Sequence, residues 1–562
     1  MKMKKAMKAT LGLVFLGSAV FAQNLADAKK AIDAEQYQKA KTILKGLTAS
    51  QPDKAENFFY LGNVYLANEY ADSAKMMYNK GIAADDEEAL NYVGLGTVEL
   101  LDGNKSGASA NFTKAADMVR RKEYLPLLYI GKAYTMDITP NGEPNPDFNQ
   151  AITWLDKAKE VNAKDADIFL ALGDAYRGLG KNSEAFSAYR TATELNKDLL
   201  RASLELGVIR KRARAFPEAD AEFKKVLAAD PNYGPAYREL AETYIAWGTD
   251  DVKNREAKYK QALEYYKKYM DLTDRSLESR MRYADILVYT KDSKALEQEA
   301  QAMAKMDKAN PRIHRYLGYA AYENGNYPAS LQAMKDFFAK VDKKRLINSD
   351  YLYLGQAQVK AGEFDKGVAT LKEAVELDST LAEGIGELAK ELYSAREYGK
   401  AAKLYEIAVA DPEANKNALY DNFFYGMSQY FDYATQVKEN PDYTKEGLVK
   451  ADSAFSYINQ KSPSTPDAWL FRARTNRLLD DAENTGGKMV PYYEKFIEVI
   501  GMKPEALTDA RHKKNLIEAY NNLGAYYLKT DQTKAKEYFN KTLALDPADP
   551  YATQVVKQIQ GK

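Results

Sequence analysis

Cysteine is absent from the 562 residues and histidine occurs only twice. Without cysteine there are no disulfides, no thiolate zinc sites, no thiol nucleophile and no acylated cysteine to tether a lipoprotein. His314 stands three residues ahead of Leu317-Gly318, where large residues recur along the chain, and His512 falls in Arg511-His-Lys-Lys514. The first reads as a packed or half-exposed side chain and the second as part of a solvated basic face, neither as a catalytic base. Net charge is missing too: 80 Lys and Arg balance 80 Asp and Glu, which leaves no global field to hold nucleic acid. After the first 22 residues no apolar run is long enough to span a bilayer. The mature chain is therefore expected to have no transmembrane segment and to reach membrane complexes only through partners.

Ligand-binding motifs fail on inspection as well. Gly178-Leu-Gly-Lys-Asn182 has asparagine where a phosphate loop needs Ser or Thr on magnesium, and Gly94-Leu-Gly96 lacks the third glycine of a dinucleotide loop. Asp85-Asp-Glu-Glu88 has neither the alternating ligands nor the turn glycine of a calcium loop and reads as an acidic helix start. Arg210-Lys-Arg-Ala-Arg214 reads as a solvated turn with a local bias toward acidic partners. No metal, cofactor or catalytic residue is expected, and the chain does not read as an enzyme.

What is present is an export-like start and a repeat. Lys2, Lys4, Lys5 and Lys8 precede an apolar core from Leu11 to Val20, and Val20-Phe21-Ala22 forms a small-x-small cleavage signal before Gln23. Residues 1–22 are thus read as a signal peptide, and the expected location is the periplasm of a Gram-negative bacterium. From there on, with 42 tyrosines and 45% hydrophobic residues, the chain can bury substantial apolar surface.

The repeat is clearest from Phe58 to Tyr78. Phe58, Leu61, Gly62 and Tyr65 share one face of a first helix; Ala74, Tyr78 and Gly81 share one face of a second; and Asn68-Glu-Tyr70 turns between them. Gly62 and Ala74 are expected to face each other and let the helices approach closely. The same anchor recurs at Asp27-Ala28, Leu95-Gly96, Ile130-Gly131, Leu172-Gly173, Leu206-Gly207 and Leu240-Ala241, then at Tyr283-Ala284, Leu317-Gly318, Leu354-Gly355, Leu388-Ala389, Tyr425-Gly426, Arg472-Ala473 and Leu523-Gly524. Six of the thirteen intervals are 34 residues and the others are longer, as insertion into a fixed unit produces. Pro52, Pro231, Pro412, Pro463 and Pro547 mark the stops of second helices.

This pattern resembles the tetratricopeptide repeat, a helix-turn-helix unit of about 34 residues. The resemblance implies an all-α, right-handed superhelical α-solenoid of about fourteen helix pairs over residues 23–549, with a capping helix over 550–562. Insertions are expected near 137–148, 247–260, 433–447 and 480–490, the second lengthening helices and the last making the thirteenth unit the least regular.

In that family the first helices line a concave groove that binds peptides or folded partners. By register, the groove would display Phe59, Asn63, Lys132 and Arg238, then Arg315, Tyr319 and Tyr322, then Phe423, Met427 and Tyr430, and finally Arg474 and Arg477. Tyr, Phe, Arg and Met carry binding energy at interfaces, although about half of such positions are expected to serve packing. The twelfth unit, with Phe423, Phe424, Tyr425, Tyr430, Phe431 and Tyr433, has more aromatic surface than one helix pair can easily bury. The expected function is a non-catalytic scaffold for one or more envelope proteins or peptides. The alternative is a glycan- or nutrient-binding accessory protein that stacks sugars on exposed aromatic rings.

Overall fold

The computed structural model describes residues 24–68, 70–136, 146–307, 310–502 and 509–560. The expected signal peptide and most of the 137–148 insertion lie outside them. The described residues form 29 α-helices and no strand, divided between two compact units that meet in sequence at Asp307 and Lys308. None of these helices is long and apolar enough to cross a membrane.

The first unit holds eight hairpins: α1 (Leu25–Asp33) and α2 (Tyr37–Ser50), α3 (Ala55–Ala67) and α4 (Ala71–Ala84), α5 (Ala89–Leu101) and α6 (Lys105–Asp117), α7 (Leu125–Ala133) and α8 (Phe148–Val161), α9 (Ala166–Gly178) and α10 (Asn182–Leu195), α11 (Leu200–Arg212) and α12 (Phe216–Ala229), α13 (Gly234–Asp250) and α14 (Arg255–Leu272), α15 (Leu277–Tyr289) and α16 (Ser293–Met306). The second unit holds six more: α17 (Pro311–Glu323) and α18 (Tyr327–Lys340), α19 (Asn348–Lys360) and α20 (Phe364–Leu377), α21 (Ala382–Ser394) and α22 (Tyr398–Ala408), α23 (Ala418–Glu439) and α24 (Glu446–Lys461), α25 (Pro466–Leu479) and α26 (Val490–Gly501), α27 (Ala510–Tyr527) and α28 (Gln532–Leu545). It ends with a lone α29 (Pro550–Gln560). The fold is an all-α solenoid of fourteen helix pairs and a final helix that packs on α28 through Val555 and Val556. The extra residues of the seventh pair are helical, giving α13 and α14 lengths of 17 and 18 residues.

One contact explains the repeat. Where the anchor of the first helix is glycine, it lies under a large side chain of the second: Gly62 under Tyr78, Gly173 under Tyr189, Gly207 under Phe223 and Gly318 under Met334. A Cβ on Gly96 would fall 2.5 Å from the Phe112 ring and 3.2 Å from the Ala108 carbonyl oxygen. The small residue of the second helix does lie close to the glycine, but the ring of that helix is what requires it. These rings are the largest fully buried side chains of the chain, among them Tyr78, Tyr189, Phe112 and Phe223.

Turns and stops follow local chemistry. Several first helices end with a residue in the left-handed region, Gly in four cases (Gly103, Gly180, Gly325, Gly362) and Glu35, Arg214, Lys291 or Arg396 in four others. At Arg396 the motif closes with Glu397 N–H donating to the Leu392 carbonyl at 2.9 Å. Each second helix that the sequence stopped with proline ends two to four residues before it, for example at Ser50 before Pro52 and at Ala408 before Pro412. Glu88 caps α5 by accepting from Leu90 N–H, as its acidic start implied.

Candidate binding cavity

The first unit does not present an open groove. Its first hairpin reaches the seventh across more than 200 residues of sequence. Glu35, held in the left-handed turn after α1, forms an ion pair with Arg238 of α13 and accepts from Tyr269 Oη of α14 at 2.8 Å. Beside it Gln36 Nε2 donates to the Leu272 carbonyl at 3.2 Å, and the Gln38 N–H donates to Asp274 Oδ2 at 2.7 Å. Ala34 joins the core formed by α11 to α14. Burial and the nearby Glu35 push the Tyr37 phenol up to about 12. We refer to this set of contacts as the clasp.

Inside the clasped turn is a cavity of about 770 Å³ lined by first helices from α1 to α13, and smaller cavities of about 320 and 570 Å³ share its walls. Its charged lining is evenly balanced and mostly paired. Arg201 Nη2 donates to Asp174 Oδ2 at 2.7 Å, Arg177 lies 3.1 Å from Glu205, and the lining Glu239 is held from behind by Lys211 at 2.6 Å. Lys132 is the loosest, 3.5 Å from Asp167. Asp174 raises the Arg201 pKa, and burial opposes it. For Lys132 burial works against the ammonium, but Asp167 and Tyr129 outweigh it and the net shift is upward. Burial raises Glu205 and Asp33, so both carboxyls hold their protons above the usual range despite neighbouring cations.

Of the residues expected in the groove of the first unit, Asn63, Lys132 and Arg238 line this cavity system. Asn63 accepts from Tyr78 Oη at 2.8 Å, and Asp174, at the same position three units on, accepts from Tyr189 Oη at the same distance. Phe59 also borders the smaller cavity, but at 1% exposure it belongs to the core, edge-on to Tyr60 and Tyr129. The basic run at Arg210–Arg214 is taken up internally: Arg210 meets Glu222, Lys211 meets Glu239 and Glu242, and Arg214 meets Asp250.

In the second unit the expected groove residues are largely occupied by other side chains of the same unit. Arg315 makes a bidentate pair with Asp350 at 2.7 and 2.8 Å, Tyr319 Oη donates to the same carboxylate at 2.7 Å, and Tyr322 stands edge-on to Tyr353. Arg474 pairs with Glu518 at 2.6 Å, and Arg477 is exposed. The aromatic excess of the twelfth pair is absorbed by its neighbours. Phe423, Met427, Tyr430 and Phe431 pack against Phe455 and Phe471, and Phe424 and Phe431 meet Tyr393 of α21. One hairpin cannot bury these rings, but a hairpin with a neighbour on each side can. The thirteenth unit is also a helix pair, and the Asp480 carboxylate organises its long turn by accepting from Asp481 and Lys488 N–H.

Sequence reasoning missed Asp33, Glu35, Asp174, Arg201, Glu205 and Tyr233. Carrying the register of Asn63 and Lys132 into the fifth unit would have found Asp174, which follows Gly173. Nothing local marks the others, because they meet only when the turn closes.

Two models described as tetratricopeptide repeat match residues 170–234, from α9 to the start of α13, and residues 517–549, the last hairpin. Among curated proteins, the chain is 20% identical over 279 residues to tetratricopeptide repeat protein 1 of Schizosaccharomyces pombe, covering 47% of this chain and 25% of that protein. It is 27% identical over 123 residues to superkiller complex protein 3 of Mus musculus, covering 21% of this chain and 8% of that protein. The chain thus spans a quarter or less of these relatives. Among solved structures, the C-terminal part of a TPR repeat-containing protein from Cytophaga hutchinsonii is 25% identical, covering 49% of this chain and 98% of that one with a TM-score of 0.33. Yeast Tom70 is 16% identical, covering 86% of this chain and 98% of that one with a TM-score of 0.29. With fourteen helix hairpins among the described residues, a small residue at the anchor of each first helix, and family models matching residues 170–234 and 517–549, the chain is built of tetratricopeptide repeats.

Proposed function

We propose that this protein is an exported, non-catalytic scaffold that holds one or more protein partners in the cell envelope, in the periplasm of a Gram-negative bacterium. Tetratricopeptide repeat proteins generally mediate protein–protein interactions, and the observation carrying the reading is the succession of fourteen hairpins among the described residues. Successive helices of such an array expose side chains along an extended surface, which suits a macromolecular partner better than a single reaction centre. The basic, apolar and small-x-small order of residues 2–22 supports export. Cross-linking in intact cells, fractionation and co-purification test both parts. A partner enriched from the periplasmic or outer-membrane fraction is the expected result; recovery of the full-length, uncleaved chain from the cytoplasm would overturn the export reading.

A second reading, an accessory protein that takes a small nutrient, is favoured by one observation, the cavity of about 770 Å³ in the first unit.

A further inference from the structure

We propose that the clasped cavity of the first unit binds a compact zwitterion, a free amino acid or a short peptide recognised by both its termini, between the Lys132–Arg201 cations and the Asp33–Tyr233 acceptor pair. The inference rests on the cavity and not on the scaffold reading.

Three independent features carry it. The first is confinement by the clasp. The contacts of Glu35, Gln36 and Gln38 with α13 and α14 close the concave side of the turn, and the volume of about 770 Å³ lies within the range of small-molecule sites. A long polypeptide laid along the groove would have to pass the clasp, whereas a short molecule need not.

The second is unfulfilled hydrogen bonding. Tyr233, 2% exposed, lines the cavity with its hydroxyl beside Asp33, which interacts with it but does not hold it in full hydrogen-bond geometry. Arg238 also lines it, and its Nε has no acceptor although its two terminal nitrogens are engaged by Glu35 and Glu239. Buried polar atoms are ordinarily satisfied, so the free Arg238 Nε and the loosely held Tyr233 hydroxyl on one wall call for a polar guest.

The third is charge of both signs within one field. Lys132 and Arg201 lie inside the turn yet keep 29% and 39% of their side-chain surface open to the cavity solvent. Asp33 interacts electrostatically with both of them and with Tyr233. A carboxylate facing Lys132 and Arg201 gains charge-assisted hydrogen bonds. An ammonium group on the same molecule can then donate to Asp33 and to the Tyr233 oxygen. A simple anion leaves Asp33 facing it unpaired, and a simple cation meets Arg201; a dipolar molecule satisfies both ends.

The test uses the purified mature chain. Pools of the common amino acids, a set of dipeptides, sodium acetate, methylammonium chloride and maltose are each titrated calorimetrically. At least one amino acid or dipeptide is expected to bind, with binding weakened about tenfold or more in both Lys132→Gln and Asp33→Asn. Binding by amino acids alone or by dipeptides alone distinguishes the two sources. Hydrogen exchange on the unmutated protein supplies a second measurement if a variant misfolds: a bound zwitterion should protect peptides from α1, α7 and α11 together. Water as the sole occupant, with no zwitterion giving heat or protection, would overturn the proposal. So would acetate, methylammonium or maltose binding as tightly as any zwitterion, or undiminished binding in both folded variants.

Discussion

Asp33 shows how much of this chain's behaviour depends on one side chain in an unusual place. Burial lifts its carboxyl above the ordinary value, with Arg201, Tyr233 and Lys132 pulling it down and Asp167 pushing it up. The folded state therefore binds this proton more tightly than the unfolded chain. Its contribution favours folding most at pH below the usual carboxylate range and is withdrawn as pH rises through the folded value. Asp33→Asn should accordingly gain denaturation midpoint over the parent at pH 7 and show no difference near pH 3, a comparison that cancels the titration of all other groups. Gly62 makes the steric counterpart. Because any side chain there runs into the Tyr78 ring, Gly62→Leu should cost about 1–3 kcal/mol, read from the denaturant midpoint of the first unit. In the second unit Asp350, 0% exposed, accepts from Arg315, Tyr319 and the Ile347 N–H. Arg315→Met should lose about 3–5 kcal/mol, because it leaves a buried carboxylate without its counter-ion. Retained stability in urea would instead place Arg315 as a residue held in reserve for a partner. The sequence marked Arg315 and Tyr319 as surface-binding types; their partner Asp350, a helix-start residue 35 positions on, is what turns them inward.

At the scale of the hairpin, legibility was high where the determinants are local. The Leu61-Gly62 anchor, the small residue of the second helix and the large one four positions later all lie within 18 residues, so amphipathic periodicity exposes them directly. The glycine's physical role was less visible: facing alanine was expected, and the ring of Tyr78 proved to be the group that needs the space. The twelfth hairpin taught the same lesson in reverse. Counting Phe423, Tyr430 and Phe431 against one helix pair suggested exposed rings, but Tyr393 from one side and Phe471 from the other share their burial. The clasp is the element with the sharpest consequence. Glu35→Ala removes the ion pair to Arg238 and the acceptor of Tyr269 together, at about 1.5–3 kcal/mol of local stability. Hydrogen exchange should then speed up in α1, α2 and the end of α14, with the second unit unchanged. If α1 and α2 stay as protected as before, the clasp does not secure the first hairpin.

Repeat arrays ordinarily link each hairpin only to its neighbours, so their stability is close to a sum of nearest-neighbour terms. The second unit follows that rule through α17 to α29, whereas the first joins its first and seventh hairpins and should unfold with correspondingly greater cooperativity. Hairpin identity, hairpin number and the order of helices were decided by residues a few positions apart, because the glycine, the ring above it and the proline stop act within a single unit. Enclosure was decided elsewhere. Glu35 and Arg238 are separated by 203 residues, and whether they touch depends on small rotations accumulated over five intervening hairpins, each set by how its side chains pack on the next. No periodicity encodes that sum. The cavity, its balanced ion pairs and the Tyr233 hydroxyl set beside Asp33 therefore exist only in the closed turn, where distant side chains are brought into one another's field.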